Sequence, residues 1–305
     1  MKLNRLGSSG LTVSEIGLGC MSLAKAGDAA DAIVHRALDL GVNFFDTADL
    51  YERGANEERL ARALGRRRGE VIVATKVGNR WRAGGDGWDW DPSPAHIRRA
   101  VEASLRRLST DYIDLYQLHG GTIEDPIDDV IATFEALREA GTIRAWGISS
   151  IRPNVIREYA ARSSIASVMM QYSVLDRRPE EQALPLLRDR GISVIARGPV
   201  AKGLLAHSRG EYGKPARAQL GHDRERVAVI QQVLGEVSAA AGRTPAQSAL
   251  RFALAAPAVA TVIPGASSLA QLQDNVAAAA STPLGDGEAA ALGAAAPAQR
   301  YAVHR

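Results

Sequence analysis

From about residue 15 to about residue 265 the chain alternates short β-type apolar runs with helical segments, and a chain built that way has few folds open to it. Eight runs read as strands: the first is Glu15 to Gly19, and the others begin near Val42, Val71, Ile113, Ile143, Ser167, Ser193 and Thr261. The segments between them carry helix start and stop signals. Asp28 to Leu40 opens on a capping-type Asp and stops at Gly41, and Ser93-Pro94 opens a helix through Leu108 with Pro at the first helical position. Asp128 to Ala140 ends at Gly141, Pro153-Asn154 opens a helix through Arg162, and Glu180 to Arg190 ends at Gly191. Arg224 to Ala241 ends at Gly242, and Thr244-Pro245 caps one more. Such a chain packs as a parallel sheet covered by helices, either open and doubly wound or closed on itself. The open form usually carries G-x-G-x-x-G after its first strand. Here that strand runs into Gly17-Leu18-Gly19-Cys20-Met21-Ser22, which does not fit, and there is no Walker A loop. The expectation is an α/β fold: a (β/α)8 TIM barrel with an N-terminal β-hairpin and extra C-terminal helices, residues 1–305 forming a single domain. The length fits, because barrels of roughly 250 residues or more are single domains.

Composition narrows the function by exclusion. The 37 Lys and Arg residues against 34 Asp and Glu leave a net charge of only +3, without a basic block or basic-aromatic stripe, so nucleic acid is not expected as a partner. The single cysteine, Cys20, excludes an intrachain disulfide and a CxxC metal pair. His35, His96, His119, His207, His222 and His304 show no metal-binding spacing, and there is no G-x-S-x-G nucleophile elbow. The N-terminus has no apolar signal core and no apolar run approaches the roughly 18 residues of a membrane span; a cytoplasmic protein with no membrane partner is expected. Three stretches are longer than connections need: Gly78 to Pro92, which holds Trp81, Trp88 and Trp90; Gly203 to Asp223; and an Ala-rich tail after Leu284, read as helical to about Ala296. The tryptophan-bearing stretch follows a barrel strand, so it is either a substrate wall or packing against the barrel rim.

In a closed barrel the C-terminal strand ends converge on one face, where the chemistry is done. Asp46 ends Val42-Asn43-Phe44-Phe45, Tyr51 follows in the next loop, Lys76 ends Val71-Ile72-Val73-Ala74-Thr75, and His119 ends the run from Ile113 to Leu118. Singly, each has a structural reading: an Asp46–Lys76 ion pair, a loop-capping Tyr51, a satisfied rim His119. Together they read as a proton-donating site. An ammonium beside a phenol favours the phenolate and makes the phenol a better acid. Lys76 would do this for Tyr51, Asp46 would hold Lys76, and His119 would donate a hydrogen bond to the substrate oxygen.

These positions carry a resemblance. Phe44-Phe45-Asp46-Thr47-Ala48-Asp49-Leu50-Tyr51, Ala74-Thr75-Lys76-Val77-Gly78, Asp114-Leu115-Tyr116-Gln117-Leu118-His119 and Ile263-Pro264-Gly265-Ala266-Ser267-Ser268 with Asn275 resemble, in order, the signatures of the aldo-keto reductase family, with a likeness to its bacterial and plant-type general reductases. The resemblance covers nearly the whole chain. It implies an NADP(H)-dependent reductase of aldehydes or ketones, with Asp46, Tyr51, Lys76 and His119 catalytic and Tyr51 the general acid. No amino acid donates hydride, so a nicotinamide cofactor supplies it. The family holds its carboxamide with a Ser-Asn pair and a Gln; here the positions are Ser149 and Ser150, with either Met169 or Gln171 at the third. Arg197-Gly198-Pro199-Val200-Ala201-Lys202-Gly203-Leu204 resembles the nicotinamide-stacking and pyrophosphate loop, with Arg197 where an aromatic residue is usual. Met21, Gly265, Ala266, Ser267, Gln271 and Asn275 complete the implied cofactor contacts. The phosphate segment lacks a basic side chain, but a helix N-terminus near Ser268 binds phosphate; NADPH is expected, with NADH use open. A charged Arg197 beside nicotinamide implies a preference for the reduced cofactor. Gly120-Gly121 after His119 either widens the pocket or lets the chain turn. Trp81 and Trp88, with Trp90 and Tyr212, suggest an apolar or aromatic carbonyl substrate. The alternative is a cofactor-binding regulatory subunit, like the potassium-channel beta subunits on this fold.

Overall fold

The computed structural model describes residues 1–206 and 218–305; Tyr212 lies outside the described residues. The chain opens with strands β1 (Leu3–Arg5) and β2 (Thr12–Ser14), an antiparallel hairpin with Leu3 opposite Ser14. Then come β3 (Leu18–Gly19), α1 (Ala30–Asp39), β4 (Phe44–Asp46), α2 (Ala55–Leu64) and β5 (Ile72–Val77). A second antiparallel hairpin, β6 (Asn79–Trp81) and β7 (Trp88–Trp90), stands outside the main sheet. The chain continues through α3 (Pro94–Leu108), β8 (Ile113–Leu118), α4 (Ile127–Glu139), β9 (Ile143–Ser149), α5 (Pro153–Arg162) and β10 (Ser167–Gln171). It ends with α6 (Ala183–Asp189), β11 (Ser193–Arg197), α7 (Arg224–Ala240), α8 (Pro245–Leu254), β12 (Val259–Ile263), α9 (Leu269–Ala277) and α10 (Asp286–Ala295).

Eight parallel strands run in the order β12-β11-β10-β9-β8-β5-β4-β3. The sheet closes on itself where Ile16 bridges Val262: the Gly17 N–H donates to the Val262 carbonyl at 2.8 Å, and the Val262 N–H to the Glu15 carbonyl at 3.0 Å. The result is the expected (β/α)8 barrel, with its N-terminal hairpin and additional C-terminal helices. The larger apolar core lies between strands and helices, where Ile33, Val34, Leu60, Val101, Phe134 and Trp146 are buried. A smaller one fills the barrel itself, and Leu6 and Val13 from the hairpin close its lower end. Asn4 Nδ2 on the Ala260 carbonyl at 2.8 Å and the Gly7 N–H on Ser193 Oγ at 2.8 Å fasten this plug.

The helix signals hold in part. Ser93 accepts from the His96 N–H and caps α3 behind Pro94, and Thr244 with Gln247 forms a capping box on α8. Asp28 caps nothing: a 3-10 turn at Gly27–Ala29 precedes α1, whose N-terminus has no side-chain cap. The first strand is shorter than Glu15–Gly19, because the chain must bend from hairpin to barrel and Ile16 joins only through its single bridge. The stretch Gly78–Pro92, expected as a loop, contains the β6–β7 hairpin. Among the described residues no helix is long and apolar enough to cross a membrane.

Candidate active site

Side chains alternate between the two faces of a strand, so every second residue of a barrel strand points inward. Low in the barrel the inward residues are apolar: Phe44, Ala74, Leu115, Ala145, Met169 and Ile195 pack as one cluster. Two residues further along the same strands, toward their C-terminal ends, stand Asp46, Lys76, Gln117, Gly147, Gln171 and Arg197. The change from apolar to polar along one face builds the site. It also places Met169 in the packed layer and Gln171 above it at the mouth, so of the two it is Gln171 that faces the site.

Lys76 is fully buried, and its Nζ donates to Asp46 Oδ2 at 2.8 Å and to the Thr47 carbonyl at 2.6 Å. The same Nζ lies 3.3 Å from the Tyr51 hydroxyl. Burial pulls the Lys76 ammonium toward neutrality, but Asp46 and Tyr51 outweigh it and hold the group above the ordinary lysine range. The His119 ring stands edge-on to Tyr51, centroids 6.1 Å apart. Its Nδ1 is buried without a hydrogen-bond partner. Burial first, then the Lys76 and Arg197 charges, push His119 down to about 3, so its imidazole is neutral at any physiological pH. The structure therefore brings all four sequence-derived residues together: a charged pair, a phenol on that pair, and a neutral imidazole facing the phenol.

On the far side of the mouth, Arg197 Nη1 donates to Gln171 Oε1 at 3.0 Å, joining the two residues that pair across β10 and β11. Burial lowers the Arg197 guanidinium somewhat from its usual range, although it still acts on Tyr51 and His119 as a positive charge. Ser149 ends β9, half-buried, and Ser150 Oγ accepts from the Arg152 N–H at 3.2 Å. The chain then turns at Gly198, φ 66°, through Ala201 and Lys202 at φ 48° and 58°. Pro199 and Leu204 are buried beneath this turn, Val200 and Gly203 are half-buried, and Gln231 Nε2 holds the Leu204 carbonyl at 2.7 Å. Across the mouth, Ser268 caps α9, and Gln271 Oε1 accepts from both the N–H and the hydroxyl of Ser267, at 2.9 and 3.0 Å. Asn275 Nδ2 donates to the Gly265 carbonyl at 3.2 Å, and Ser22 Oγ to that of Ala266 at 2.9 Å. Met21 is left 63% exposed at this edge, unusual for so apolar a side chain.

Of the two roles sequence left open, the structure shows packing against the rim for Trp90. Trp90 packs: its Nε1 donates to Asp125 Oδ1 at 2.9 Å, and its ring lies where a Cβ on Gly78 or Gly120 would come within 2.5 or 3.1 Å. Gly120 therefore makes room for Trp90 and does not widen the pocket. Trp81 and Trp88 meet edge-on, 5.8 Å between centroids, with Trp88 half-exposed.

Sequence reading missed a layer behind the tetrad. Thr47 Oγ1 donates to Asn56 Oδ1 at 2.8 Å, and Thr75 Oγ1 to Glu57 Oε1 at 2.6 Å. These threonines directly follow Asp46 and precede Lys76. Glu57 is fully buried and its other oxygen takes Arg107 Nε at 2.7 Å. Asp49 stands near Glu57 and is pushed up to about 7, by burial before that neighbouring charge. Gln117, buried in the polar layer beside Asp46, was also missed. In the C-terminal tail, Tyr301 is buried close enough to Arg197 to act on its charge, with the Arg178 guanidinium 4.7 Å from its ring. A groove lined by Glu58, Arg62 and Arg106 lies between α2 and α3 on the outer wall, away from this chemistry. Among the described residues no group of His, Cys, Asp or Glu side chains is placed to hold a metal ion.

Comparison with known proteins agrees with this geometry. The model of the aldo/keto reductase family matches residues 15–296. The chain is 50% identical over 308 residues to the protein named uncharacterized oxidoreductase YqkF of Bacillus subtilis (strain 168), covering all of both chains. It is 31% identical to the aldo-keto reductase yakc [NADP(+)] of Schizosaccharomyces pombe (strain 972), over 87% of this chain and 83% of that one. The holo form of aldo-keto reductase AKR11C1 from Bacillus halodurans superposes with a TM-score of 0.93 at 50% identity, covering 100% of this chain and 99% of that one. The apo form of that protein, with the same coverage, gives 0.84 at 46% identity. Closed barrel, strand-end tetrad and full-length relatives lead to one conclusion: the chain belongs to the aldo/keto reductase family of NAD(P)H-dependent oxidoreductases.

Proposed function

We propose that the protein reduces aldehydes or ketones to alcohols with NADPH, using Tyr51 as the general acid. The observation that carries this reading is the Tyr51 hydroxyl held 3.3 Å from a buried Lys76 that is itself paired with Asp46 at 2.8 Å. The residues at the mouth suit a dinucleotide. Hydroxyls and an amide at Ser267, Ser268 and Gln271 stand at the N-terminus of α9, which suits phosphate. Gln171 and Ser150 offer side-chain hydrogen bonds for a carboxamide, and the similarity is higher to the holo than to the apo form of the Bacillus halodurans relative. The bound cofactor would supply the hydride.

The protein's own groups do the rest. The carbonyl oxygen sits between Tyr51 and His119 and gains negative charge as its carbon is reduced. Neutral His119 donates a hydrogen bond to that oxygen without competing to protonate it. Tyr51 gives its proton to the developing alkoxide, and the Lys76 ammonium stabilises the phenolate left behind. Asp46 keeps Lys76 charged and in place. Trp81 and Trp88 form the wall of the substrate side and favour an apolar or aromatic carbonyl compound. NADPH is favoured over NADH by the yakc relative, whose name carries NADP(+). Loss of NADPH absorbance with an activated aromatic aldehyde, beside the same assay with NADH, tests the reading. Aldehyde-dependent oxidation faster with NADPH is expected; cofactor binding without turnover across a panel of aldehydes and ketones would favour a regulatory role.

A further inference from the structure

Directly after Tyr51, three residues in succession take left-handed backbone conformations: Glu52 at φ 51°, Arg53 at φ 56° and Gly54 at φ 94°. Glycine does this freely, whereas a side chain there is strained and persists only where its surroundings hold it. Both side chains are held, in opposite directions. Glu52 is gripped from the barrel side: Arg59 donates to its two oxygens at 2.6 and 3.2 Å, and Asn56 Nδ2 donates at 3.2 Å. Asn56 is fully buried and also takes the Thr47 hydroxyl, and the Thr47 carbonyl receives Lys76 Nζ. Arg53 is gripped from the hairpin side: its guanidinium lies 4.5 Å over the Trp81 ring, and its Nη2 donates to the Gly85 carbonyl at 2.9 Å. A single peptide link thus ties the ammonium that serves Tyr51 to the hairpin proposed as the substrate wall.

We propose that Glu52 and Arg53 are positioning residues that hold the Tyr51 hydroxyl against Lys76, and that Arg53 couples this hold to the position of the β6–β7 hairpin. An aromatic or apolar carbonyl compound packed on the hairpin is thereby sensed at the proton donor. The inference deepens the reductase reading and rests on it. Both residues act through Tyr51.

Arg53→Gly is the decisive variant, because it removes both hairpin contacts while relieving the backbone strain, so that the chain still folds. With a small aldehyde too short to reach Trp81, the single-turnover reduction rate falls by about tenfold or more, the scale of an ångström-sized misplacement, while KM changes little. Arg53→Lys recovers part of the rate, since an ammonium over an indole keeps part of the attraction. Combined with Trp81→Ala, Arg53→Gly costs less than it does alone, because the indole contact is already gone and only the bond to the Gly85 carbonyl is left to remove. A crystal structure of Arg53→Gly shows the Tyr51 hydroxyl displaced from Lys76. The proposal is overturned by an unchanged rate with only a lowered melting temperature, by additive losses in the double variant, or by a Tyr51–Lys76 distance that stays at 3.3 Å. A wild type that reduces no carbonyl compound contradicts the reductase reading instead, and the crystal distance then decides the tether by itself.

Discussion

Arg197 shows what a single side chain at the mouth does. It stands at the end of β11 in the polar layer, tied to Gln171, where the family resemblance places the nicotinamide-stacking residue. A guanidinium plane stacks on a ring, yet its charge opposes a second cation. The oxidised nicotinamide is cationic and the reduced one neutral, so an Arg197 stacked on that ring would favour the reduced form. Replacing it by Trp keeps the stacking and removes the repulsion. Affinity of Arg197→Trp for the oxidised cofactor, measured by fluorescence titration, should rise at least severalfold while affinity for the reduced form changes little; equal affinities in wild type and variant would contradict this. Strand-end residues such as Arg197, Lys76 and Asp46 were legible in the sequence because each ends an apolar run whose inward face is fixed by a period of two. Asn56 and Glu57 were not. They are buried polar residues at the start of α2, and without the threonines they bind, nothing marks them off from a solvated helix face.

At the scale of elements, the β6–β7 hairpin sits on the barrel through Trp90, whose ring fills the space over Gly78 and Gly120. Gly120 also has φ 139°, a conformation other residues rarely take. Gly120→Ala should therefore cost about 1–3 kcal/mol in chemical denaturation, from crowding and backbone strain together, and should push the hairpin away from His119; a variant as stable as wild type would show that Trp90 is not seated there. The hairpin was hidden in the sequence because its strands are three residues each and joined by a glycine-rich turn, and because Trp-Asp-Trp alternation suits a strand or a rim loop equally well. Helix α2 was hidden for the related reason that buried Asn56 and Glu57 interrupt its apolar stripe, leaving Leu60, Ala63 and Leu64 to mark its inner face. The helices with Ser93-Pro94 and Thr244-Pro245 at their starts declared themselves through those caps.

At the scale of the whole molecule, a closed barrel gathers side chains from strands far apart in sequence and buries them, and this couples the site to stability. His119 is pushed from 6.5 to about 3 in the folded state. Folding is favoured while His119 is neutral in both states, above its unfolded value of 6.5, and that contribution is lost as pH falls from 6.5 toward 3. One proton of this kind changes stability by about 1.4 kcal/mol per pH unit in that window. Wild type should therefore lose stability faster than His119→Gln between pH 6 and pH 4, read by urea denaturation at each pH; parallel curves would mean that the folded imidazole titrates normally. Alternating strands and helices made the barrel itself readable, whereas closure through Ile16 and Val262 depends on residues far apart in sequence and became visible only in three dimensions. The central claim is that this architecture makes Tyr51 the proton donor of a carbonyl reduction. Comparing Tyr51→Phe with wild type, at saturating NADPH and an activated aromatic aldehyde, tests it most directly. The account predicts a loss of about 10²–10⁴ in turnover with NADPH affinity retained, and a phenylalanine variant that turns over as fast as wild type would contradict it.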